Sequence, residues 1–231
     1  MRNLLLISSS RVHGSGFFEH CHDEIANHLQ GIRSLLFVPY ALADHEAYLA
    51  TVATALKNIL PVQSIHQSAD PVAAVHDAEA IFIGGGNSFR LLKTMYDLEL
   101  LAPIRESVQG KGIPYMGSSA GTNLSCPTIR TSNDMPIVEP PSFAALKLIP
   151  FQINPHFIDA DPNSTHQGET REQRLTEYLE ENAVPVAGIR EGSWLKVENE
   201  KCQLGGKTGM KLFRQGQAPE EFSTGDVSFL L

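Results

Sequence analysis

The amino-acid sequence predicts an α/β protein: a mostly parallel central sheet with helices on both faces, finished by C-terminal β-hairpins. Two observations carry this. Short apolar runs and helix-spaced segments alternate from residue 4 to about residue 124, the signature of βαβ units. The runs themselves, such as Leu4-Leu5-Leu6-Ile7 and Ile81-Phe82-Ile83, are apolar throughout rather than alternating, as strands buried on both faces are.

Residues 4–8 are the first of these strands. His13-Gly14-Ser15-Gly16 is a loop, and residues 17–29 take helical spacing through Phe18, Ile25 and Leu29. His20 and His22 stand two apart on that helix, point to different faces, cannot share a metal and read as surface histidines. Residues 34–39 form a second strand stopped by Pro39, residues 47–60 an alanine-rich amphipathic helix, and residues 62–66 a third strand. Asp70-Pro71 opens a helix, with Asp as N-cap and Pro in the first turn. Residues 80–83 are a strand ending in Gly84-Gly85-Gly86-Asn87, and helices follow over 89–95 and 100–108. Residues 113–116 lead as a strand into Gly117-Ser118-Ser119-Ala120-Gly121. Beyond residue 125 loops predominate, with strands at 148–153 and 184–189 and hairpins over 193–231. Between the two strands, Thr170 with Gln173 three residues on opens a helix through a capping box. No linker, repeat or low-complexity tract interrupts the chain, which reads as a single domain over 1–231.

Composition excludes several classes. A chain of 231 residues with a 42% hydrophobic share is long and apolar enough for a substantial core. No apolar run approaches the ~20 residues of a membrane span, and the run after Arg2 is too short for a signal-peptide core. Cys21, Cys126 and Cys202 lie far apart with no Cys-x-x-Cys pair, which fits reduced thiols in a cytoplasmic protein and predicts no metal site. A net charge of -8 argues against a nucleic-acid partner. An acidic substrate would need a local cation in its site.

The chemistry concentrates at strand ends. Gly-x-Ser-x-Gly at 117–121 describes a strand-to-helix turn that exposes its central serine, Ser119. Gly117 and Gly121 let strand and helix approach closely, and the N–H of Ala120 opens the helix, where it can meet an oxyanion. The turn at 84–87 follows a neighbouring strand, so an N–H of Gly85, Gly86 or Asn87 is the candidate second donor. Of nine histidines, His156 alone follows a strand directly, with Asn154-Pro155 fixing the backbone, and is the candidate base. Two carboxylates compete to orient it: Glu191, after strand 184–189, and Asp134, in the loop after the serine turn. The order Ser, His, Glu differs from that of α/β-hydrolases. Gly205-Gly206-Lys207-Thr208 imitates the end of a phosphate loop, but Lys201 stands where the first glycine belongs.

These stretches stand together with Cys-Pro-Thr-Ile-Arg-Thr-Ser-Asn-Asp-Met-Pro-Ile-Val (126–138), Gln-Ile-Asn-Pro-His-Phe (152–157), Gly-Glu-Thr-Arg-Glu-Gln-Arg (168–174) and Glu-Gly-x-Trp (191–194). As a set they resemble the peptidase E family of α-aspartyl dipeptidases. They are similar more distantly to cyanophycinase and, in architecture, to class I glutamine-amidotransferase-like folds. The resemblance implies a cytoplasmic serine peptidase, monomer or homodimer, that splits dipeptides with an N-terminal aspartate and needs no metal or other cofactor. It makes Ser119 the nucleophile, His156 the base, and Glu191 or Asp134 the third member. The family often carries Trp where Ser118 stands, which sets a second hydroxyl beside Ser119; the motif register favours Ser119. Arg171, on the inward face of the helix opened by Thr170, becomes the candidate cation for the substrate's β-carboxylate. The rivals are a broader hydrolase, of β-aspartyl, cyanophycin or ester type, and a non-catalytic ligand-binding module.

Overall fold

Among the residues that the computed structural model describes (2–163, 165 and 167–231), eight strands form the main sheet. Its parallel part comprises β1 (Asn3–Ile7), β2 (Leu35–Val38), β3 (Val62–Ser64), β4 (Ile81–Ile83) and β5 (Tyr115–Ser118), in the order β1-β5-β4-β2-β3. Three of these, β1 from Leu4 onward, β2 and β4, are all-apolar runs, and they are buried on both faces as that composition requires. Leu4 and Leu6 pack into one core layer, Leu5 and Ile7 into the other, so β1 supplies both sides of the sheet.

A second sheet runs in the order β11-β10-β7-β6. It contains β6 (Gln152–Phe157), β7 (Val186–Arg190), β10 (Met210–Phe213) and β11 (Glu220–Phe222). Only β6 and β7 are parallel within it. The hairpin β8 (Ser193–Glu198) and β9 (Lys201–Gly206), with the short β12 (Gly225–Asp226), instead extends the main sheet antiparallel to β1. The chain therefore crosses from one sheet to the other at Glu191-Gly192, between β7 and β8.

The helices are α1 (His22–His28), α2 (His45–Leu56), α3 (Pro71–Asp77), α4 (Ser88–Asp97), α5 (Leu101–Arg105), α6 (Ala120–Leu124) and α7 (Arg171–Glu181). Their starts follow the capping chemistry of the sequence. Asp70 accepts from Ala73 N–H, Asn87 from Phe89 and Arg90 N–H, and Thr170 with Gln173 forms the full capping box. None of these helices is long and apolar enough to cross a membrane.

Two segments differ from expectation. The helix expected over 17–29 begins only at His22, because Phe18 takes a left-handed conformation (φ 61°) and a single 3₁₀ turn intervenes. His20 on that turn is half-buried and His28 is buried, so neither is a surface group. The strand expected at 148–153 begins at Gln152, because Lys147 and Leu148 N–H groups are committed to Cys126 and Ser125 carbonyls. His156 consequently lies inside β6 rather than beyond a strand end.

Candidate active site

The site is built at the carboxyl end of β5. Between β5 and α6, Ser119 adopts φ 54°, ψ −112°, a strained conformation for a side-chain-bearing residue. Close packing holds it there. A Cβ on Gly121 would lie 1.9 Å from the Ile83 carbonyl oxygen, and one on Gly117 2.7 Å from that of Gly121. The Ile7 carbonyl, at the end of β1, accepts both Ser119 N–H (3.1 Å) and the Thr122 hydroxyl (2.7 Å). Ser118 is fully buried, with no partner for its hydroxyl among the described residues, whereas Ser119 is partly open to solvent.

His156 faces Ser119 from the second sheet. Its ring Nε2 lies 2.8 Å from Ser119 Oγ and its Nδ1 2.6 Å from Glu191 Oε1. A bulge in β6 makes this possible. Asn154 pairs with Gly188 but Phe157 with Arg190, so one extra residue sits on the β6 side, and His156 takes φ 53°. Ser8 fixes the bulge: its hydroxyl donates to Ile189 O (2.8 Å) and accepts from His156 N–H (2.9 Å). The turn at Glu191 is clamped by Thr208, whose hydroxyl donates to Glu191 O at 2.6 Å. The imidazole and carboxylate side chains keep 35% and 44% of their surface exposed, so water reaches the constellation directly.

Asp134 does not join it. Its carboxylate accepts from Ser88 N–H (2.7 Å) and the Ser132 hydroxyl (3.1 Å), holding the loop against the start of α4, and no bond joins it to His156. The turn at 84–87 divides likewise. Asn87 N–H is spent on Ala41 O (2.9 Å) and its side chain caps α4, which removes it as an oxyanion donor. Gly85 lies against Ser119, where an added Cβ would be 2.9 Å from the serine Cβ, but its N–H faces the Tyr48 hydroxyl. The N–H groups of Gly86 and Ala120 have no acceptor among the described residues.

Arg171 opens α7, half-buried, with no hydrogen bond or salt bridge among the described residues. Burial and neighbouring Arg174 lower its pKa, and Asp134 opposes them. Arg174 itself pairs with Glu169 at 3.4 Å. Sequence reasoning missed Ser8 and Thr208. The one available signal was a polar residue closing an apolar strand at the sheet's carboxyl edge, where open α/β sheets place their sites.

An α/β sheet with serine, histidine and glutamate linked by hydrogen bonds at its strand ends defines the class of serine hydrolases. Within that class the chain belongs to Peptidase family S51, whose family model matches residues 4–205. It is 55% identical to peptidase E of Streptomyces coelicolor over 231 residues, covering 99% of this chain and 95% of the relative. It is 47% identical to a probable alpha-aspartyl dipeptidase of Drosophila melanogaster, covering 100% of this chain and 98% of that protein. The crystal structure of a peptidase from an acI-B1 actinobacterium shares the fold, with a TM-score of 0.65 at 19% identity over 97% of this chain and 95% of that one.

Proposed function

We propose that this chain is a dipeptidase that hydrolyses dipeptides with an N-terminal aspartate by acyl transfer through Ser119. The observation that carries the reading is the pair of bonds at His156, 2.8 Å to Ser119 and 2.6 Å to Glu191. With the Nδ1 N–H hydrogen-bonded to Glu191, Nε2 accepts the Ser119 proton as Oγ adds to the α-carbonyl carbon of the aspartyl residue. The resulting oxyanion is met by the N–H of Ala120 and by that of Gly86. Collapse breaks the C–N bond, and Nε2 hands its proton to the departing amine. Water then repeats the sequence: His156 takes its proton, the oxygen adds to the acyl carbon, and Ser119 leaves protonated. Glu191 stays ionised and offsets the imidazolium charge at both stages.

Two considerations favour an aspartyl substrate. The name of the Drosophila relative specifies it, and Arg171 is a half-buried cation without a partner among the described residues, in a chain of net charge -8, the local charge an acidic substrate requires. Substituting Ser119→Ala is expected to abolish leucine release from Asp-Leu without altering the melting temperature. Full turnover by that variant would contradict the mechanism. Assays of Glu-Leu, β-Asp-Leu and simple esters beside Asp-Leu separate this reading from a broader hydrolase. Absence of fluorophosphonate labelling at Ser119 would favour a binding module instead.

A further inference from the structure

A cleft of about 530 Å³ adjoins the proposed triad at Glu191, through Gly192 and Thr208. The segment between β1 and α1 contributes Val12 and His20 to its lining, β8 contributes Trp194, and Gly192 and Lys207 line it as well. It belongs to the same construction as the acid: Gly192 follows Glu191, and the cleft residue Thr208 donates to the Glu191 carbonyl at 2.6 Å. The lining is mainly apolar. Burial draws the His20 imidazole toward its neutral form, against the raising effect of Glu191, and the ring leans on Trp194 at 6.5 Å between centroids. The two charges on the lining differ in their commitments. Glu19 already accepts the Gly16 N–H at 2.6 Å, whereas the Lys207 ammonium is exposed and takes no hydrogen bond or salt bridge among the described residues.

Topology fixes which part of a substrate reaches this cleft. Ser119 closes β5, with β4 on one side and β1, then β8, on the other. Arg171 feels Asp134, which is bonded to the α4 start just past β4, so the aspartyl side of a substrate extends toward β4. The leaving nitrogen must face His156, the group that protonates it, and His156 is held by Ser8 at the end of β1. The leaving residue therefore extends past β1 toward β8 and β9, where the cleft opens. In a dipeptide that residue carries an apolar or polar side chain and a free α-carboxylate. Wall and rim match those two parts in kind.

Resting on the proposed function, we infer that the cleft between the loop after β1 and the β8–β9 hairpin binds the dipeptide's second residue, with its side chain against Trp194 and Val12 and its carboxylate paired with Lys207. The cleft thus selects for a free carboxyl terminus, which is a reason for a peptidase of this geometry to prefer dipeptides.

The test compares Asp-Leu with its C-terminal amide, Asp-Leu-NH₂, in the wild type and in Lys207→Met. The wild type is expected to favour the free acid about tenfold, through KM, as a charge-assisted contact would give. In Lys207→Met the KM for Asp-Leu should rise by about that factor while kcat holds, bringing acid and amide within about twofold of each other. Lys207→Glu should invert the preference. An unchanged acid-to-amide ratio in both variants, or an equal loss on both substrates, would overturn the inference while leaving the proposed function standing. Failure of the wild type to cleave either substrate would overturn the functional reading itself.

Discussion

The hydroxyl of Ser8 is bonded at once to the strand that carries His156 and to the strand that leads into Glu191. It is fully buried, donates to Ile189 O and accepts from His156 N–H, so removing it breaks both bonds and releases the β6 bulge. Ser8→Ala is therefore expected to lower kcat by about 10²-fold, because a displacement of about 1 Å at a reacting group costs that much. KM should change little, since neither Arg171 nor the cleft beside Trp194 depends on this bond. Steady-state kinetics on Asp-Leu, with the melting temperature followed in parallel, check it. A variant with normal kcat would remove Ser8 from the positioning machinery. At this scale the sequence was informative where a motif fixes the backbone. The Gly-x-Ser-x-Gly register selects Ser119 over Ser118, and the structure sets Ser119 beside His156 and buries Ser118. It was uninformative where a side chain acts across the fold: nothing local to residue 8 says which strand will lie against it.

Among the elements, α1 and β5 show how burial couples packing to pH. His28 of α1 is buried and bonded through Nε2 to the Tyr115 carbonyl of β5 at 3.1 Å. Burial is the main cause pushing its pKa down to about 4; the Tyr115 bond opposes this and nearby Lys196 adds to it. The unfolded chain takes up this proton near the usual value of about 6.5, so between about pH 6.5 and 4 it binds more protons than the folded one. Stability must then fall as pH falls through that window. The melting temperature of the wild type should decline across it, and that of His28→Gln, which keeps a donor for Tyr115 O, should decline less. Identical declines would contradict the assignment. Elements with strong local signals were legible: the apolar strands, the Asp70 cap and the Thr170 box all lie where the pattern puts them. The α1 start was displaced by the left-handed Phe18, and the start of β6 by loop bonds at Lys147 and Leu148. Neither leaves a trace in periodicity.

For the whole molecule, the decisive fact is that His156 and Glu191 come from one sheet and Ser119 from the other. The main sheet, with its glycine turns, follows from alternation of strand and helix patterns. The second sheet does not, because its parallel pairing of β6 with β7 joins segments separated by a loop and a helix. That pairing sets Glu191, and not Asp134, against His156, and no local pattern encodes it, which is why the sequence left both open. Charges tie the same region together. Arg190, next to Glu191, is bonded to Asp159 and Glu221, and Lys211 reaches Glu172 at the start of α7. Led by the Arg190 bond, these cations hold the Asp159 carboxyl down at about 2, so the segment leaving His156 is anchored to the sheet that carries the acid.

The most direct test of the account compares kcat/KM for Asp-Leu in Glu191→Gln and Asp134→Asn. Glu191→Gln should lose about 10⁴ in kcat, the cost of misorienting a catalytic imidazole, with KM little altered. Asp134→Asn should retain turnover far closer to the wild type. Near-normal turnover in Glu191→Gln together with collapse in Asp134→Asn would contradict the account.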